Sequence, residues 1–471
     1  MRSGFRRLSP FDRGFLRLEE PGLPEHVAGL CLLEAGPLLD PAGDLDLESI
    51  RGRLERRLQR VPELRRVIRS APPLGGPPFW ADDPHFSIAR HVHSVPVHPP
   101  GDEAGLLATT ELLVRPLIDR SHPLWELWFV TGVQGGRVGL VFKIHHAIAD
   151  GLAAVALVSS LLDFEATAPD PPAQAWRPEP EPTASELLAD HTRDRLHAAG
   201  SALGHPVNLA RGAGFAVAGS IRMFGRSWSA APRTSLNRLP GSGRRLGVAH
   251  LDLEVARTVA HAHDAKVNDV VLCVVAGGIR ELLLGRGEPV DGLQLKASVP
   301  ATLRSAEAAR ELGNAAGALM VTIPVGEANA YRRLEAIAAS SRTAKAEQRP
   351  AHVEGLFGWL SSSGLARPFI RRQRMINFFV SDVPGPPVPL YLLGARIEEV
   401  MPIVGLAGNM TLVFAALSYC GGLDLVMNAD AGACPDVGVL IAGLVRAWEE
   451  LTGQAPIASC SAGAAAGVRR A

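Results

Sequence analysis

Lys143-Ile144-His145-His146-Ala147-Ile148-Ala149-Asp150-Gly151 decides how the rest of the chain is read. The apolar run Val138 to Phe142 before it has the composition of a buried strand, and Leu152 to Leu162 after it that of a helix. Two histidines therefore fall at the exit of a strand, with an aspartate and a glycine one turn later. A neutral imidazole there can take a proton from a hydroxyl or thiol near physiological pH, whereas a lysine would already be charged. The aspartate can hold the turn, and the glycine removes a side chain that would crowd it. An isolated His-His pair is more often two ordinary loop histidines; the very apolar strand and the polar turn weigh towards a site.

Upstream, Leu8-Ser9-Pro10-Phe11-Asp12 reads as a polar turn in which Asp12 caps a helix, and His26 to Leu33 as a first strand. Apolar residues Leu47, Ile50, Leu54, Leu58 and Val61 are spaced as one face of an amphipathic helix that Pro62 closes. Arg65, Arg66 and Arg69 are compatible with phosphate binding or with a solvated flank. His85, His91, His93 and His98 lack a compact metal-ligand geometry and read as solvent-facing positions around an edge strand. Gly105 to Val114 is a further helix. In Pro123-Leu124-Trp125-Glu126 the proline sets the entry into a strand from Leu127 to Val133, and Trp125 offers a large apolar surface.

Downstream, six prolines between Pro169 and Pro182 mark a boundary between halves. Ser185 to His197 and Val207 to Phe224 read as helices. The second half carries strands at Leu246 to Leu253, Leu295 to Pro300 and Leu319 to Pro324, and helices at Val255 to His263, Lys266 to about Leu284, Tyr331 to Lys345 and Gly355 to Phe369. Asn268 or Asp269 is the expected N-cap of the long second helix. Leu412 to Tyr419 and Leu423 to Asn428 form a hairpin turning at Gly421-Gly422, before a closing helix from Val437 to Leu451.

Composition excludes several classes. Lys plus Arg (48) equals Asp plus Glu (48), so no basic excess points to nucleic acid. Cys31, Cys273, Cys420, Cys434 and Cys460 are odd in number and scattered, which argues against a disulfide framework and for a reducing compartment. Cys273 and Cys420 sit in apolar runs and read as core residues. The basic start Met1 to Arg7 is not followed by an apolar signal segment, and no later apolar stretch is long enough to span a bilayer.

Four stretches together resemble one family, the bacterial wax ester synthases/acyl-CoA:diacylglycerol acyltransferases of the His-His-x-x-x-Asp-Gly superfamily. They are His145 to Gly151, Pro123 to Glu126, Lys266 to Leu272 with its Asn268-Asp269 pair, and Asn377-Phe378-Phe379-Val380-Ser381-Asp382-Val383-Pro384-Gly385-Pro386. The Val299-Pro300 turn with Arg304 matches as well, and the likeness runs from Leu8 to about Leu451. One departure stands out: Asp382 occupies a place where the family usually has asparagine, which exchanges an amide donor for a carboxylate.

The resemblance implies an α/β fold of two chloramphenicol-acetyltransferase-like domains joined by a crossover linker. On this division residues 1–165 are the N-terminal domain, 166–243 the linker and connecting helices, 244–453 the C-terminal domain and 454–471 a loose tail. It implies transfer of a fatty acyl group from acyl-CoA to diacylglycerol or a long-chain alcohol, with His146 as general base and His145, Asp150, Gly151 and Asn268 completing the catalytic set. Trp125, Asn268, Arg304, Ser381 and Asp382 are the implied substrate contacts. No metal or cofactor is called for, since acyl-CoA is a substrate. The expected setting is cytoplasmic, as a monomer or homodimer peripheral to the inner membrane or lipid bodies. A specialised acyltransferase for another lipid or secondary-metabolite alcohol, or a non-catalytic acyl-lipid-binding protein, is the alternative. No Gly-x-Ser-x-Gly elbow supports a serine acyl-enzyme.

Overall fold

A computed structural model of the chain describes residues 5–149, 151–204, 230–302, 316–347 and 366–457. Two six-stranded sheets carry the architecture, with a three-stranded sheet at the side of the first. The small sheet is ordered β1-β4-β3, from β1 (Arg6–Arg7), β3 (Arg66–Arg69) and β4 (Phe79–Asp82). The first large sheet draws β2 (His26–Glu34), β5 (Val92–Pro96), β6 (Trp125–Val133) and β7 (Arg137–His145) from the N-terminal half. The second draws on β8 (Arg244–Asp252), β9 (Leu295–Thr302), β10 (Ala316–Ile323), β11 (Phe378–Pro384), β14 (Leu412–Tyr419) and β15 (Gly422–Asp430), in the order β10-β9-β11-β14-β15-β8.

The first sheet is completed from a distance. β12 (Tyr391–Leu392) and β13 (Ala395–Val404) leave the C-terminal half and pair with it, giving the order β12-β13-β2-β7-β6-β5. Part of the stretch assigned by sequence to the C-terminal domain thus belongs to the sheet that carries the histidines. β13 runs antiparallel to β2, with Val400 opposite Cys31 and Val404 opposite Val27. The proline-rich segment is strapped down on the N-terminal half. Asp170 takes Arg53 at 2.5 Å and Arg57 at 2.8 Å, and Trp176 Nε1 donates to the Asp83 carbonyl at 3.1 Å.

β7 extends beyond the apolar run and holds Lys143, Ile144 and His145 as strand residues. Its pleat explains the composition, since successive side chains point to opposite faces. Val138, Leu140, Phe142 and Ile144 enter the N-terminal core with Leu33, Leu54 and Trp125. The alternate residue Val141 packs with Leu30, Leu106 and Met401 on the other face. On that second face Lys143 is buried and its Nζ meets Glu126 Oε2 across the β6–β7 pair at 3.0 Å. Gly29 lies opposite Phe142, and a Cβ there would fall 2.4 Å from the ring, so glycine lets the ring cover the neighbouring strand.

Several expectations need correcting. The N-cap of the Val267–Gly285 helix is Lys266, and Asp269 reaches back to the Lys266 N–H at 2.9 Å, which leaves Asn268 with no capping role. The hairpin turns at Cys420-Gly421, where φ is 47° and 93°, the left-handed pair a type I′ turn requires. Cys420 is consequently exposed, whereas Cys273 is buried as expected. His91 is no edge residue: it is 2% exposed and sandwiched between Phe86 (5.3 Å) and Trp125 (4.5 Å). Arg65 is buried against the rings of Phe86 and Trp176, and Arg66 and Arg69 pair with Asp82 and Glu181. The expected Val207 to Phe224 helix lies outside the described residues, as does most of Gly355 to Phe369.

Candidate active site

His145 and His146 sit where β7 ends and the chain turns towards the Gly151–Ser159 helix. Backbone bonds fix this turn from both sides. His145 N–H donates to the Leu124 carbonyl at 3.0 Å, His146 N–H to the Glu25 carbonyl at 2.9 Å, and Ile148 N–H to the His145 carbonyl at 2.9 Å. The register that pairs His145 with His26 on β2 then brings the two imidazoles edge to face, 5.9 Å apart.

The side chains of the two motif histidines have separate surroundings. His145 is wholly buried, and its Nδ1 accepts from Ala147 N–H at 2.9 Å. That bond assigns the ring proton to Nε2, which faces Glu19 Oε1 at 3.4 Å. His26 Nε2 approaches the same oxygen at 3.3 Å, and Arg120 Nη2 holds Glu19 Oε2 at 2.7 Å. Burial opposes ionisation of Glu19, but His145, His26 and Arg120 together hold its carboxyl well below the usual range. The result is a buried carboxylate, paired with an arginine, that two imidazoles face at 3.3 and 3.4 Å.

His146 keeps accessible surface, while its Nδ1 is buried. Its ring stacks on Phe15 at 4.7 Å and 14°. Burial, with His145 and His26 adding to it, pushes the imidazole down to about 3, so it is unprotonated across the physiological range. A neutral ring held by stacking and backbone bonds is available to accept a proton, though with reduced basicity.

Other expected site residues are spread through the molecule. Gly151 opens its helix; Asp150 and Arg304 lie outside the described residues. Asn268 stands in the first turn of the Val267–Gly285 helix, its Oδ1 buried and without a hydrogen-bond partner among the described residues. Ser381 and Asp382 lie on β11, between β9 and β14. Burial pushes the Asp382 carboxyl up to about 6, so it retains a protonated fraction that can donate as an amide would. Trp125 lies wholly inside the N-terminal core, Nε1 donating to the Leu64 carbonyl at 2.6 Å, and presents no surface to a substrate.

Sequence reading missed Phe15, Glu19, Glu25, His26 and Arg120. No local pattern marks them, because each reaches the histidines through strand register, a loop or the Pro10–Leu18 helix and its C-terminal end; a histidine on the strand that pairs with β7 was the one available signal. Beside Phe15 and Glu25 lies a cavity of about 190 Å³, bounded also by Leu18, Leu23, Ile370 and Arg371. Among the described residues no group of three His, Cys, Asp or Glu side chains is placed to hold a metal, and no helix is long and apolar enough to cross a membrane.

The wax ester synthase/diacylglycerol acyltransferase catalytic domain matches residues 8–271, and the C-terminal domain of the same family matches 312–452. The chain belongs to this family. A Mycobacterium tuberculosis protein, Rv3087, whose name provisionally assigns it diacylglycerol O-acyltransferase activity, is 31% identical over 95% of this chain and 97% of its own. The tgs1 protein of the same organism, with a similar provisional name, is 27% identical over 94% and 95%. In fold, the chain is similar to the wax ester synthase/diacylglycerol acyltransferase of Marinobacter aquaeolei VT8, at 23% identity, TM-score 0.66 and coverage of 94% and 98%. A starter condensation domain of rhizomide synthetase, solved with C8-CoA, aligns at 13% identity and TM-score 0.61 over 96% of each chain. The α/β architecture of two sheet-rich, acyltransferase-type domains is therefore borne out.

Proposed function

We propose that the protein is an acyl-CoA-dependent O-acyltransferase that esterifies diacylglycerol, a long-chain alcohol or both, at an inner-membrane or lipid-body surface. One observation carries the assignment of roles: of the paired histidines, His145 is wholly buried facing Glu19, and His146 alone keeps accessible surface. His146 Nε2 takes the hydroxyl proton of the acceptor as that oxygen attacks the thioester carbonyl. The carbon–sulfur bond then breaks, and the proton passes to the departing thiolate, yielding ester and free CoA. Asn268, relieved of capping, supports the oxyanion or the substrate pose. Asp150 braces the motif turn, Gly151 allows its close packing, Arg304 meets CoA phosphate, and Ser381 and Asp382 line the substrate path.

Purified protein mixed with palmitoyl-CoA and either hexadecanol or dipalmitoylglycerol should release free CoA and form the matching ester. His146→Ala should lower the rate by about 10²–10⁴-fold, the usual worth of a positioned acid–base group. Full activity in a folded His146→Ala protein would remove His146 from the mechanism. Acyl-CoA binding without transfer to any alcohol would instead favour an acyl-lipid-binding protein.

A further inference from the structure

The cavity bounded by Phe15 and Glu25 has walls of two kinds. Phe15, Leu18, Leu23 and Ile370 make it largely apolar, and Glu20, Glu25, Arg367 and Arg371 are its charged lining residues. The arginines at its edge are already engaged. Arg371 Nη1 holds Glu20 Oε1 at 3.1 Å, and Arg367 Nη2 donates to the carbonyls of Arg17 and Glu19 at 3.0 and 3.1 Å. Among the described residues Glu25 has neither a hydrogen bond nor an ion pair through its side chain. Its backbone is held in place, because its carbonyl accepts from His146 N–H at 2.9 Å and its own N–H donates to Glu19 Oε1 at 3.4 Å. Phe15 and Glu25 are thus shared between the cavity wall and the setting of His146.

Burial, reinforced by the nearby Glu19 charge, pushes the Glu25 carboxyl up to about 8. At neutral pH it is mostly a carboxylic acid with an O–H to give. Against a plain alkyl chain that O–H would stay unpaired in apolar surroundings, an unfavourable state. An ester carbonyl is the complementary acceptor, and it is what distinguishes a partial glyceride from an unfunctionalised alkanol.

We propose that Glu25 is a specificity-determining residue, its carboxylic acid donating a hydrogen bond to an ester carbonyl of an acceptor bound in this cavity and so selecting glyceride-type alcohols. This rests on the proposed acyltransferase function, and its test separates the two. Binding of 1,2-dioctanoylglycerol and of its diether counterpart, 1,2-dioctylglycerol, which has the same outline without carbonyls, would be measured by calorimetry on the full chain at pH 7. Wild type should prefer the ester by about tenfold, the upper worth of one net hydrogen bond. Glu25→Leu should erase the preference, and Glu25→Gln, which keeps a donor, should retain most of it. An equal ester-to-ether ratio in wild type, or a preference that survives in a folded Glu25→Leu protein, overturns the proposal. Failure of the same acceptors to react with palmitoyl-CoA would count against the transferase function, while the ester-to-ether binding ratio would still decide whether Glu25 recognises the carbonyl.

Discussion

His145 and His146 are neighbours in sequence with different tasks, and strand geometry is the cause. β7 turns His145 inward to His26 and Glu19, and the next residue leaves the strand with its ring against Phe15. The motif shows the pair but not the division, because Glu19 arrives from the end of a helix more than a hundred residues earlier. The lowered value of His146 has a sign that can be checked. Activity through an imidazole base is lost as pH falls through its pKa, and for an ordinary histidine that loss falls near 6.5. With His146 near 3, kcat/KM for palmitoyl-CoA should show no acid limb of its own near 6.5. It should decline only well below pH ~5, as the ring finally protonates. A limb at 6.5 that disappears in His146→Ala would show that the ring titrates as an ordinary histidine instead.

At the scale of elements, the second domain depends on how closely two helices approach. Val267–Gly285 and Val437–Thr452 cross at glycines: a Cβ on Gly278 would lie 2.6 Å from Leu444, and one on Gly443 would lie 2.8 Å from Glu281 and 3.1 Å from the Gly278 Cα. The buried face of the first helix, from Val270 to Ile279, rests on that approach. Gly443→Val should therefore overpack the crossing, at a cost of about 1–3 kcal/mol. In a domain of this size that lowers Tm by roughly 2–4 °C per kcal/mol, measurable by thermal melting. A melting temperature equal to wild type would mean the helices can separate without loss. Periodicity located both helices, but the crossing point came only from packing. β13 was missed for a related reason, since its alternation is visible only once β2 supplies the partner.

Across the whole molecule, the two halves are joined by charge as well as by the exchanged strand. Glu111, from the Glu103–Val114 helix, receives Leu246 N–H at 2.8 Å and Arg245 at 3.0 Å, and Arg244 donates to the Gly22 carbonyl. His250 on β8 lies between Asp424, 2.7 Å from Nδ1, and Glu103 of the first half, 2.9 Å from Nε2. Burial opposes its protonation, but the two carboxylates prevail and raise it to about 10. The sign follows from linkage. A folded-state value raised above 6.5 gives stability that is fully present below about 6.5 and is lost as pH climbs towards about 10. The stability gap between wild type and His250→Asn, from denaturant melts, should be widest near pH 6 and close towards pH 10. A gap that stays constant with pH would show that His250 contributes by packing alone.

Local chemistry was legible because it is written in adjacent residues. The apolar run into β7, the His-His turn, the proline-rich boundary and most helices follow from propensity and spacing, which act over a few residues. Those features were enough to single out the His145-His146 pair, while the α/β class and the choice of His146 came with the family resemblance. Long-range pairing was not legible, because strand register and loop closure depend on partners far along the chain. Folding alone seats Glu19 between His145 and His26, carries β13 into the first sheet, buries Trp125 and His91 against each other, and releases Asn268 from capping at a helix start. The same chain geometry puts Glu25 among the lining residues of the cavity that includes Phe15, where burial raises its carboxyl.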